Sequence, residues 1–155
     1  LLPVVPRGLA GFFVLAVNMA AWEWPGTLIT AVIDGDSIDA VITRDLGFGG
    51  KAVWPVRVRL ARINARPAKT VNGRLATARV RELTTGHTVD MVTVRRYKYG
   101  GPEDTLGEIV AEVTLPDGQD LSDLLVAEGL AVYWDGTGPR PDGPPDSPTA
   151  VSTPA

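Results

Sequence analysis

Two runs of apolar and β-branched residues, Thr27–Ile33 and Ser37–Thr43, flank Asp34-Gly35-Asp36 with nothing else between them. Three residues leave room only for a tight strand-to-strand turn, so the pair predicts a hairpin near the start of a β-rich domain. A third run, Val53–Ile63, alternates: Val56, Val58 and Leu60 fall on one face and Arg57 and Arg59 on the other. Leu75, Ala76, Val80 and Leu83 recur at helical spacing within Asn72–Leu83, with Gly86 placed to end the helix. Strands over Thr88–Tyr97 and Leu106–Leu115 follow. A second helix is predicted over Leu121–Ala131, striped by Leu124, Leu125, Ala127 and Leu130. Five strands, with one helix after the third and one after the fifth, predict a mainly β, α+β domain: a small Greek-key barrel of the OB type.

A length of 155 residues and 45% hydrophobic content suit one domain with tails. Residues 26–135 form that domain. Residues 1–25 contain an apolar run, Leu9–Val17, behind Arg7 and before Ala20 and Ala21. This fits the core and cleavage site of a signal peptide and is too short to span a bilayer comfortably. An extension outside the domain is the other reading, so secretion follows from the first and a cytoplasmic location from the second. Residues 136–155 are rich in Pro, Gly, Ser and Thr, and are expected to be loose and without chemistry.

Asp34 and Asp36 lie one residue apart, so both carboxylates can face one hard cation such as calcium or magnesium. An Asp-Gly hairpin with no ligand remains the plainer alternative. The net charge of −3 hides a strong asymmetry. Residues 44–98 carry thirteen Lys or Arg against three acids, whereas residues 99–155 carry Arg140 alone against eleven acids. A basic face for a polyanion is one reading and a set of solvated surfaces the other. The lack of cysteine excludes disulfides and sulfur-ligated zinc or iron sites, and with His87 the one histidine neither a zinc site nor a Ser-His-Asp triad is expected. Gly47-Phe48-Gly49-Gly50-Lys51 lacks P-loop spacing and predicts a hairpin loop. Trp22, Trp24, Trp54 and Trp134 suit core packing, with base stacking as the alternative.

In order and spacing, Val32-Ile33-Asp34-Gly35-Asp36-Ser37, Val58-Arg59-Leu60-Ala61-Arg62-Ile63-Asn64-Ala65, Gly73-Arg74 and Ala127-Glu128-Gly129-Leu130-Ala131 resemble the staphylococcal (micrococcal) nuclease family, over about residues 26–134. The resemblance implies an OB-fold barrel and calcium-dependent hydrolysis of DNA or RNA by a monomer. It makes Asp36 a direct calcium ligand, Asp34 an outer acid holding metal-bound water, Asn64 the second side-chain ligand and Ala65 a backbone ligand. Arg59 matches the arginine that binds the phosphate and stabilises its transition state.

Three departures accompany the match. Asn64 stands where the family has a carboxylate. Ala65-Arg66-Pro67-Ala68-Lys69 lacks the family's general-base Glu, and Glu108 falls where the family has its second arginine. Arg57, Arg66, Lys69, Arg95 and Arg96 are further candidates for contact with nucleic acid. The resulting expectation is a calcium-dependent nuclease of reduced activity. Its alternative is a non-catalytic module, derived from a nuclease, that binds nucleic acid or protein.

Overall fold

The computed structural model describes residues 22–96 and 108–146. In chain order the elements are β1 (Glu23–Asp34), β2 (Ser37–Gly47), β3 (Gly50–Leu60), β4 (Ile63–Asn64), α1 (Val71–Thr84), β5 (Thr88–Arg96), β6 (Glu108–Thr114), α2 (Leu121–Ala127) and β7 (Val132–Tyr133). Five strands close a barrel in the order β1-β2-β3-β6-β5, with β1 also paired to β5. All pairings are antiparallel except β3 with β6, which runs parallel and sets Arg57 opposite Glu108. The short strands β4 and β7 form a separate ribbon in which Ile63 pairs with Tyr133 and Asn64 with Val132.

Alternation along the strands fills the barrel. Ile38, Ala40 and Ile42 from β2, Val56, Val58 and Leu60 from β3, Met91 from β5 and Val113 from β6 are buried together. Leu121 and Leu125 of α2 pack on the same core. The strand expected over Val53–Ile63 stops at Leu60, because Arg62 adopts a left-handed φ of 68° that no strand can continue through. The helix expected to reach Ala131 stops at Ala127, and Gly129, at φ 74°, turns the chain out of it.

Helix α1 starts where Thr70 Oγ1 accepts a hydrogen bond from the Gly73 N–H at 3.0 Å. Its buried face is Gly73, Ala76, Thr77, Val80 and Thr84, so small side chains bring it close to the barrel. The Thr77 and Thr84 hydroxyls donate back to the carbonyls of Gly73 and Val80, which leaves no unpaired hydroxyl in that contact. Leu75, expected in the apolar stripe, is exposed instead. Among the described residues, no helix is long and apolar enough to cross a membrane.

Candidate functional site

Glycine decides how the site is assembled. Gly35, between the two aspartates, is needed for space: a Cβ there would lie 2.5 Å from Ala76 Cβ and 2.9 Å from Ala65 Cβ. The Asp-Gly-Asp turn is therefore wedged between α1 and the segment after β4. Gly73, in the first turn of α1, faces the Pro67 carbonyl so closely that a Cβ would strike it. Turn, loop and helix are thus locked together, and the Leu60 N–H donates to the Asp36 carbonyl at 2.8 Å, tying the turn to the end of β3.

Asp36 is almost fully buried there. Its Oδ2 accepts from the Ala65 N–H at 2.8 Å and from Arg59 Nη2 at 3.2 Å. The same Arg59 nitrogen donates to Asn64 Oδ1 at 3.3 Å and lies 3.5 Å from the Ile63 carbonyl. Asp34 Oδ1 accepts the Asp36 N–H at 3.1 Å, an Asx-type contact that shapes the turn. Burial pushes the Asp36 carboxyl up from 3.8 to about 6. Asp34 adds to this shift, while Arg59 and the Ala65 N–H pull the other way.

Part of the C-terminal segment lies over this cradle. Arg140 Nε donates to Asn64 Oδ1, and Arg140 Nη2 stands 3.6 Å from Asp36 Oδ2. Asn64 Nδ2 donates to the Pro141 carbonyl at 2.8 Å. Arg66 Nε donates to the Pro144 carbonyl at 2.7 Å and the Gly143 carbonyl at 3.2 Å, and the Asn72 N–H donates to Asp146 at 2.8 Å. Gly143 fits tightly, since a Cβ would come within 2.7 Å of the Arg66 backbone nitrogen. Trp134 carries both cations on its ring, with Arg59 Cζ 5.6 Å and Arg140 Cζ 5.8 Å from the centroid.

The structure thus gathers Asp34, Asp36, Arg59, Asn64 and Ala65, five of the residues singled out from sequence. It sets the others apart. Arg57 is exposed and bonded to both oxygens of Asp39, at 2.8 and 3.1 Å. Glu108 opens β6 beside Arg57, two positions short of the Arg59 level. Arg66 grips the C-terminal segment and Lys69 is exposed. Arg95 is exposed and lies against Gly136; the Arg96 side chain lies outside the described residues. Sequence reasoning missed Arg140 and the role of Trp134. The available signal was that Arg140 is a lone base in an acidic stretch.

The donor set does not fit the calcium ion that the family resemblance implies. Calcium takes six to eight oxygens, with carboxylates carrying most of the charge. Here the one carboxylate oxygen in the cradle already accepts two hydrogen bonds and faces Arg140 at 3.6 Å, and Asn64 Oδ1 takes two guanidinium groups. Among the described residues, no group of three or more His, Cys, Asp or Glu could hold a metal ion.

No family model matches the chain. It is 30% identical over 129 residues to a micrococcal nuclease of Shigella flexneri, a match covering 81% of this chain and 67% of that protein. It is 32% identical over 107 residues to an uncharacterized endonuclease of Escherichia coli and 31% identical over 107 residues to one of Escherichia coli O157:H7, each match covering 69% of this chain and 60% of the relative. The chain therefore spans about two thirds or less of the length of these curated relatives. A closed five-stranded barrel with an Asp-Arg pair buried at one end defines the class, and the chain belongs to the micrococcal nuclease family.

Proposed function

We propose that this chain binds nucleic-acid strands through the Arg59 end of an OB-type barrel, with phosphodiester hydrolysis weak or lost. One observation carries the reading: two guanidinium groups, Arg59 and Arg140, converge on one buried carboxylate and one tryptophan ring. This sets guanidinium groups beside an aromatic face, the combination that suits a phosphate with its base. The machinery for hydrolysis is thinner. The loop 65–69 has no carboxylate to activate water, and Glu108 lies beside Arg57 and not at Asp36. A calcium-dependent phosphodiesterase of low activity is the second reading. It is favoured by the Asp36–Arg59 pair beside Asn64 and by the nuclease and endonuclease names of the relatives.

Single-stranded DNA and RNA oligonucleotides, titrated against the full chain in chelator over a range of salt, separate the two. The first reading expects binding that weakens with salt, falls about tenfold or more in Arg59→Gln and needs no calcium. Cleavage that requires calcium and disappears in Asp36→Ala would establish the second reading. Absence of both binding and cleavage would remove nucleic acid from the account.

A further inference from the structure

We propose that the cradle formed by Asp36 and Asn64 is a guanidinium site, and that its occupant is Arg140 from the chain's own C-terminal segment in place of a metal ion. The geometry meets what a guanidinium requires and a divalent ion does not. A planar fork needs two acceptors side by side, and Arg140 Nε takes Asn64 Oδ1 while Arg140 Nη2 faces Asp36 Oδ2 at 3.6 Å. An amide in place of a second carboxylate leaves the cradle one negative charge, on Asp36, which Arg59 and Arg140 share. Arg59, on the other side of Asp36, completes the pairing.

The segment carrying Arg140 is held by further contacts, of which those from Arg66 and Asn72 lie outside the cradle. Pro141 is bound by Asn64, Gly143 and Pro144 by Arg66, and Asp146 by the first turn of α1. Both ends of the Asn64 side chain are engaged: its oxygen accepts from the two arginines and its nitrogen donates to the Pro141 carbonyl. Trp134 offers its ring to both guanidinium groups, 5.6 and 5.8 Å from its centroid, as a cation–π partner. A segment held through three backbone carbonyls and the Asp146 carboxylate presents its cation at high effective concentration, so a free ion in solution competes poorly.

Terbium, whose luminescence Trp134 can sensitise, serves as the metal probe on the full chain, with calcium and ethylguanidinium as competitors. The expected result is no binding of terbium or calcium by the parent at millimolar concentration. Arg140→Gln should bind terbium at least about tenfold more tightly than the parent, and Arg140→Ala should do the same if the Gln variant folds poorly. Ethylguanidinium should displace terbium from these variants at lower concentration than calcium does, and adding Asp36→Asn should abolish the signal. Equal terbium affinity in parent and variants would overturn the proposal. So would variants that fold and bind neither terbium nor ethylguanidinium. None of these readings uses nucleic acid, so the outcome stands apart from that of strand binding.

Discussion

At Arg62 three carboxylates surround one arginine; at Asp36 two arginines surround one carboxylate. Arg62 bonds Glu112 at 3.0 Å, Asp120 at 2.9 Å and Asp123 at 2.8 Å, on a surface where water reaches every partner. Asp123 is held below the usual carboxylate range, first by Arg62 and then by the Tyr133 hydroxyl. Asp36 has two cations beside it and is nevertheless pushed up to about 6. Burial outweighs pairing. The loss of hydration around a sealed carboxylate exceeds what its neighbours return, whereas an exposed one keeps its water and gains a partner as well. The number of opposite charges around a group does not predict its protonation unless its exposure is known.

The largest effect expected from breaking this contrast is at Asp36→Ala, which leaves Arg59 buried without its carboxylate. It should cost about 3–5 kcal/mol of stability in urea denaturation; a loss under 1 kcal/mol would mean that Arg59 escapes to water. Gly35→Ala should cost about 1–3 kcal/mol in the same measurement, because the added methyl drives the turn away from Ala76 and Ala65.

Acid sharpens the comparison, since the two regions respond with opposite sign. Asp36 binds its proton more tightly folded than unfolded. Its contribution to stability is therefore complete below about pH 4 and is lost as pH rises through about 6. Asp123, with its folded value depressed, contributes above its ordinary range and loses that contribution as pH falls. Parent stability minus that of Asp36→Asn should therefore rise by on the order of 2 kcal/mol between pH 7 and pH 4. A flat difference would show that Asp36 titrates as an ordinary carboxyl.

The smallest effect belongs to the exposed cluster. Arg62→Ala should cost about 1 kcal/mol or less despite three ion pairs. Arg62→Gly should be at least as stable as the alanine variant, because it relieves the left-handed backbone at φ 68°. Chemical denaturation of the two side by side tests whether the backbone or the ion pairs dominate there.

Local pattern made the barrel's strands legible. The hairpin about Asp34-Gly35-Asp36 has Asp34 paired with Ser37, as the two β-branched runs require, and α1 differs from its expected span by one residue at each end. Within the site, Asp36 and Arg59 were readable from motif spacing. Gly35 was readable as a glycine, but for a different reason: it makes room for Ala76 and Ala65. Alternation put Arg57 and Arg59 on one face of β3 but could not say what covers that face. Trp134 and the segment after it bury Arg59 and leave Arg57 exposed beside Asp39. Arg140 stood out as the lone base of an acidic stretch, but its partners did not, because nothing local in a Pro- and Gly-rich stretch records a contact across 76 residues. The basic character of residues 44–98 was real in sequence but partly spent in space, on Asp39, Glu112, Asp120, Asp123 and Glu128.

That separation of 76 residues between Asn64 and Arg140 also fixes an order of events during synthesis. The chain leaves the ribosome N-terminus first, so the cradle residues emerge before β5 and β6, the barrel closes with β6, and Arg140 arrives last. Asp36 is therefore made together with one of its cations, Arg59, and meets the second, Arg140, only later. Through that interval the carboxylate and Arg59 form a one-to-one pair, and Arg140 turns the pair into a triad.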